Sequence, residues 1–289
     1  MILYTITYIM TELKPFISWV GSKKRIANTI ISSFPDHTLY VEPMIGGGSI
    51  LFKMKPKKAI IGDTNIYIVN TFRVIRNRMG WLVRRLEKLQ NEYQPMNKLE
   101  RKEWYYKKRA RFNSLPLNNK NSVELASLFI LINKIGFNGL YQISPKDGRC
   151  TTAFGTGIIN TIYKEENIQN ISKYLKKSVI SIVHGSYEKT IEKALQMKNE
   201  KLLIYIDPPY HNTSKVQNKN WYGSNTFDQN ALKKYISTHL EGIPVFVSNS
   251  YNEYITNLYK DHKITIIPIT YVIGAISKRN KKQECLIHI

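Results

Sequence analysis

The sequence predicts an α/β fold: one sheet, interrupted by a basic and mostly helical insertion. Three observations carry this expectation. Short apolar runs rich in β-branched and aromatic residues recur towards both ends of the chain, several with a turn signal behind them. From Thr64 to about Lys177 the texture changes to charged segments of helical character. A glycine cluster, Gly46-Gly47-Gly48, follows the first apolar run directly and marks a tight strand-to-helix junction.

Taken in order, the chain opens with Met1 to Met10, and Met10 precedes Thr11-Glu12-Leu13-Lys14, an ordinary-looking start. The first nine residues are therefore expected to be a dispensable leader or an upstream start. Thr38 to Glu42 reads as a short strand, Ser49 to Met54 as a helix, and Ala59-Ile60-Ile61 as a second strand ending at Asp63. Strand, glycine turn, helix, strand and acid in this order open nucleotide-type folds, in which the acid holds ribose hydroxyls. The glycine spacing is not the dinucleotide fingerprint, so the expected ligand is an adenosine-bearing one rather than NAD. Beyond Ser178 the strand texture returns at Val179 to Val183, Leu202 to Ile206, Val245 to Ser248, Ile264 to Ile267 and Cys285 to Ile289.

The middle stretch is thus an insertion into one sheet. Residues 11–66 and 178–289 are expected to form one domain, and 67–177 an inserted domain with a hairpin near 137–155. Between Thr64 and Lys177 there are 21 Lys and Arg against 8 Asp and Glu, most of the net +22 of the whole chain. A charge run is often only a solvated helix face. Here the excess asks for a polyanion, and nucleic acid is the first candidate, with an anionic membrane surface second. Arg109 and Arg111, in the densest part of the run, are candidate phosphate contacts.

Several classes are disfavoured. No apolar stretch approaches the roughly 18 residues of a membrane span, and Met1 to Met10 lacks the flank and cleavage site of a signal peptide. The expectation is a soluble protein of the cell interior, with no membrane partner. Cys150 and Cys285 make neither a disulfide framework nor a zinc site, and the six histidines lack metal-ligand spacing, so no metal is expected.

Asp207-Pro208-Pro209-Tyr210 is the most informative segment. It stops the apolar run Leu202 to Ile206, which places the carboxylate at a strand's carboxyl end, where open α/β sheets bind ligands. Asp-Pro-Pro can be no more than a turn. It also offers Asp207 and the Pro208 carbonyl as paired acceptors for a planar amino group, beside Tyr210 as a stacking platform. That combination suits a nucleobase.

With a glycine turn ahead of a basic insertion and Asp-Pro-Pro-Tyr behind it, the chain resembles the Dam-type adenine-specific DNA methyltransferases from about Lys14 to its end. Phe16 to Lys23 is similar to the family's Phe-x-x-Trp-x-Gly-Gly-Lys opening, and Val41 to Ser49 to its Glu-Pro-Phe-x-Gly-x-Gly-Ser turn. Asp63-Thr64-Asn65 matches its Asp-x-Asn, Asn133 to Gly139 is like the start of its DNA-reading hairpin, and Asp207 to Tyr210 is its catalytic motif.

The resemblance implies a Rossmann-like S-adenosylmethionine-dependent methyltransferase fold. It implies that Trp19, Lys23, Glu42, Gly46, Gly48, Asp63, Ser186, Tyr187 and Asp207 line the cofactor site, with Lys23 on the methionine carboxylate and Asp63 on the ribose. It also implies that Phe137, Asn138, Tyr141 and Gln142 meet double-stranded DNA. The activity expected is methyl transfer from S-adenosylmethionine to the exocyclic amine of a flipped adenine, by a monomer or weak dimer, with restriction-modification as one setting. Phe137 would fill or wedge the gap that a flipped base leaves, although it equally suits a hairpin core.

Three departures stand out. Met44 replaces the usual Phe, Ser22 the second Gly, and Gln142 falls where relatives that recognise GATC carry Arg. Arg suits guanine and Gln adenine, so the target need not be GATC. Thr151 to Gly155 also departs from the family's Asn-x-Pro-Phe-Gly. An RNA adenine methyltransferase and a non-catalytic DNA-binding protein on the same scaffold are the alternatives. A cytosine-ring enzyme needs a cysteine nucleophile, conventionally after proline, and neither cysteine follows one.

Overall fold

The computed structural model describes residues 12–116, 122–210, 227–270 and 281–289. The first nine residues and His211 lie outside them. The helices are α1 (Ala27–Ile31), α2 (Ser49–Met54), α3 (Ile66–Tyr93), α4 (Lys98–Ser114), α5 (Val123–Ile135), α6 (Glu165–Ser178), α7 (Tyr187–Leu195), α8 (Gln229–His239) and α9 (Glu253–Leu258). The strands are β1 (Leu39–Glu42), β2 (Ala59–Asp63), β3 (Val179–His184), β4 (Leu202–Ile206), β5 (Val245–Ser250), β6 (Lys263–Thr270) and β7 (Lys281–His288).

The strands form one seven-stranded sheet in the order β3-β2-β1-β4-β5-β7-β6. The first five in that order run parallel, whereas β7 is antiparallel to both of its neighbours. Strand order reverses at β1, which pairs with β2 on one side and β4 on the other. A crevice opens outside the carboxyl ends of strands at such a point. Glu42 ends β1, Asp63 ends β2 and Asp207 follows β4, so three acids of the sequence analysis meet this edge.

Strand side chains alternate between faces. Leu39, Val41, Ile204, Ile206, Val245, Val247, Cys285 and Ile287 form one core with Ile191 of α7, Leu232 and Ile236 of α8, and Ile255 of α9. Tyr40, Leu203, Tyr205, Phe246 and Leu286 belong to the other core, with α1, α2, α3, α5 and α6. Burial on both faces explains why the parallel strands read as unbroken apolar runs.

The second core continues without a break into residues 67–177, from Tyr40 and Tyr205 through Phe72 to Phe129 and Tyr141. α3 spans both regions and kinks at Arg78, whose backbone is non-helical (φ −134°, ψ 31°). Arg73 donates to the Ile182 carbonyl and Arg76 to the Val179 carbonyl, so two cations of the basic run are tied to the backbone of β3. The expected hairpin near 137–155 is a looped pair of segments, joined by two isolated antiparallel bridges, Gly136 with Phe154 and Ile143 with Cys150. Among the described residues no helix is long and apolar enough to cross a membrane, and no cluster of His, Cys, Asp or Glu is arranged to hold a metal ion.

Candidate active site

The loop before α1 brings Lys23 under the sheet edge, where it is 3% exposed. Its ammonium donates to Asp207 Oδ2 at 2.7 Å and to the Gly21 carbonyl, and stands 3.9 Å from Glu284 Oε2. It also lies 4.7 Å from the centre of the Tyr210 ring. Lys23, expected on a cofactor carboxylate, thus also holds the motif aspartate.

Lys23 is the ion-pair partner of Asp207. Oδ2 takes the lysine, while Oδ1 is buried without a hydrogen-bond partner among the described residues. Burial pushes its carboxyl up to about 6, against the opposing pull of the Lys23 charge, and the Glu284 charge adds to the rise. Tyr210 donates its phenol to Glu284 Oε2 at 2.8 Å. Behind the motif, Gln229 Nε2 donates to the Pro209 carbonyl at 2.8 Å and Asn249 Nδ2 to Gln229 Oε1 at 3.0 Å, which anchors the proline loop to β5.

On the other side of the crevice the glycine turn is shaped by Trp19 and Asp63. Gly46 has φ +47°, and a Cβ on it would lie 2.7 Å from Trp19 Cδ1; Gly48 is left-handed too, at φ +75°. Asp63 accepts from Gly46 N at 3.0 Å and Asn65 N at 2.8 Å, and burial lifts its carboxyl to about 6. Glu42 is buried and accepts from the Tyr40 phenol at 2.9 Å; desolvation raises its pKa well above the usual carboxylate range. Ser186 is exposed at the start of α7, and Gly185 N donates to the Asp63 carbonyl at 3.1 Å, so this pair borders the same edge. Tyr187 packs edge-on against Phe227 and Tyr235. Ser22, the departure from Gly, shares a 2.8 Å hydrogen bond with Ser49 and so links the opening loop to α2, while Met44 packs on the core of α7 to α9.

The reading segment begins at the end of α5. Phe137 is 49% exposed and Asn138 is exposed with φ +55°, so both face outwards at the tip. Gln142 is half-buried, its backbone N–H on Thr152 Oγ1 at 2.9 Å. Tyr141, expected at DNA, is instead a core residue, 6% exposed among Trp19, Tyr67, Phe112 and Phe129. An aromatic one step along a looped segment turns to the opposite side from its neighbour, and apolar rings gathered here. Arg109 donates to the Thr151 and Thr152 carbonyls at 3.0 and 2.8 Å and stacks on Tyr106, so it braces the returning limb. Arg111 forms a two-pronged pair with Glu124 at 3.0 and 3.1 Å, joining α4 to α5.

Sequence reasoning missed Glu284, Gln229 and Asn249. Glu284 stands just before the apolar run Cys285-Leu286-Ile287, an acid next to Lys281, Lys282 and Gln283 that nothing local sets apart. Asn133, quoted only as part of a motif, is a buried joint: its side chain accepts from Ser18 N and donates to the Ser18 carbonyl, both at 2.7 Å, and donates to the Gly139 carbonyl at 2.9 Å.

A family model for D12 class N6 adenine-specific DNA methyltransferases matches residues 19–273. The chain belongs to this family. The expected resemblance and α/β methyltransferase fold are thereby borne out, and the chain is an adenine-specific DNA methyltransferase by family. The methyltransferase is 32% identical to the type II methyltransferase M.MjaIII of Methanocaldococcus jannaschii, over 93% of its own length and 96% of that protein. It is 30% identical to the type II methyltransferase M1.LlaDCHI of Lactococcus lactis subsp. cremoris, over 96% and 95% of the two chains. A DNA adenine methylase of Haemophilus influenzae is 24% identical over 96% and 93%.

Proposed function

We propose that this methyltransferase moves the methyl group of S-adenosylmethionine to the exocyclic amine of an adenine turned out of double-stranded DNA, with Asp207, the Pro208 carbonyl and Tyr210 at the reacting nitrogen. The orphaned Asp207 Oδ1 carries this reading. A buried acceptor without a donor is costly and calls for one from a substrate, and a flipped adenine brings an NH2 group. The amine is a poor nucleophile because its lone pair is spread into the ring. Oδ1 favours the form in which nitrogen turns tetrahedral and gains positive charge.

The residues present fit the donor. Asp207 and Glu284 flank Lys23, whose charge Glu42 also feels, an acidic setting suited to a sulfonium, and the Gly46 turn lets backbone approach a ligand closely. Bound there, S-adenosylmethionine supplies a methyl group on positively charged sulfur. Asp63 keeps lone pairs for ribose hydroxyls beyond the two backbone N–H groups that it accepts. Trp19, Gly48, Ser186 and Tyr187 complete the wall. Lys23 acts on Asp207, fixing its rotamer and favouring its ionised form. In-line alignment of the reacting groups contributes up to ~7–11 kcal/mol.

Phe137, Asn138 and Gln142 meet the DNA, and Arg109 and Arg111 stabilise the frame that presents them. Gln142 favours an adenine-containing site other than GATC. One adenine per encounter requires one copy, so a monomer or weak dimer in the cell interior suffices. Tritium transfer from labelled cofactor to DNA, RNA and protein tests the reaction, and sequencing of methylated sites tests the target. Transfer to DNA at a site other than GATC is expected; labelling of RNA alone, or of nothing, rejects the activity, and exclusive GATC labelling rejects the target.

A further inference from the structure

Glu284, counted above only for its charge, touches two groups of the site, Tyr210 and Lys23. It is 5% exposed and lies in the first half of β7, opposite Ser250 at the carboxyl end of β5. Because β7 runs against its neighbours, its beginning reaches the edge where the parallel strands end. Glu284 shares a face with Leu286, as Asp207 follows Tyr205 and Glu42 follows Tyr40, so alternation aims all three acids at one side of the sheet. There Oε2 accepts the Tyr210 phenol at 2.8 Å and stands 3.9 Å from the Lys23 ammonium, which itself holds Asp207 at 2.7 Å.

We propose that Glu284 is a positioning residue for methyl transfer: it fixes the tilt of the Tyr210 ring through the phenol and, by competing for the Lys23 ammonium, tunes how firmly Asp207 offers its charge to the amine. This rests on the assignment of Asp207 and Tyr210 to the reacting nitrogen. A ring pinned at its hydroxyl and covered by an ammonium 4.7 Å from its centre has little freedom to rotate. A stacking platform gains from that, since a base must settle within a fraction of an ångström of alignment. Among the described residues, the titratable groups facing Asp207 are Lys23 from the opening loop, Glu42 from β1, Tyr205 from β4, Tyr210 from its own loop and Glu284 from β7. Of these, Glu284 is the acid whose charge adds to the rise of the Asp207 carboxyl.

The test compares the full chain with Glu284→Gln, Glu284→Ala, Tyr210→Phe and Asp207→Asn in single-turnover methylation across pH, with the KM for DNA measured alongside. Gln still accepts from the phenol but carries no charge, so the acid limb of the rate moves to lower pH while the KM for DNA holds. Tyr210→Phe removes the hydrogen bond and lowers kcat by roughly tenfold. Glu284→Ala lowers kcat similarly in the parent and adds little to Tyr210→Phe, because the bond is already gone. Should the alanine variant not fold, Glu284→Gln and Tyr210→Phe decide alone. An unmoved acid limb in Glu284→Gln, with Asp207→Asn inactive, overturns the role of Glu284 and leaves the catalytic assignment standing. Retained transfer by Asp207→Asn overturns both.

Discussion

The ammonium of Lys23 and the carboxylate of Asp207, 184 positions apart in sequence, meet at 2.7 Å beneath the edge of the sheet. The pair occupies Oδ2 and leaves Oδ1 of the aspartate buried without a hydrogen bond among the described residues. It also opposes the desolvation that would otherwise neutralise the acid.

Asp207→Ala is expected to lower the transfer rate by at least about 10²–10³-fold, the scale for removing one preorganised charge-stabilising group. DNA affinity should stay within a few fold. Filter-bound tritium counts and a mobility-shift titration measure the two quantities; turnover near the parent rate would remove Asp207 from the chemistry.

Lys23→Met strips a buried carboxylate of its partner, a change that costs about 3–5 kcal/mol in sites of this kind. Denaturant unfolding should show the loss. Since the lysine charge lowers the Asp207 pKa, the acid limb of activity should move upwards from about 6. DNA affinity should change little.

The pH dependence has a defined sign. With its carboxyl near 6, Asp207 is ionised at neutral pH and protonated in mild acid. Single-turnover rates should therefore fall below about pH 6, approaching about tenfold per unit. Stability runs the other way for this group and for Asp63, also near 6. Both are raised above the ordinary aspartate value, so their contribution is fully present below that value and is lost as pH rises through about 6. Asp207→Asn should flatten that part of a thermal-melt profile against pH.

Gly46→Ala places a Cβ 2.7 Å from Trp19 Cδ1 on a residue with φ +47°. Strain of this kind is worth ~1–3 kcal/mol. Melting temperature should drop, and calorimetric affinity for S-adenosylmethionine should fall with it as Trp19 is displaced. A normal affinity would separate the turn from the cofactor.

The parallel strands were legible because they are short apolar runs, and α2 falls on the residues expected, Ser49 to Met54, whereas β7 begins at Lys281, ahead of the expected Cys285, in a polar stretch. β6 runs past the expected Ile267 through Pro268 to Thr270. A proline suggests a strand's end, but β6 is an edge strand and tolerates the missing N–H. The motif carboxylates were legible from their places after strands. Their partners were not: nothing local in Gly21-Ser22-Lys23 reveals that its lysine will reach β4. Tyr141 failed for a related reason, since an aromatic beside Gly139 and Gln142 looks the same in sequence whether it faces solvent or a cluster of rings.

The position of β7 between β5 and β6 has a consequence for how the molecule is made. β7 follows both β5 and β6 in the chain yet lies between them, so among the described residues β6 joins the sheet through β7 alone. Removing β7 would take Glu284 away and uncouple β6, while Lys23, Glu42 and Asp207 stay on the chain. Docking of that sheet margin and completion of the acid cluster are thereby one folding event.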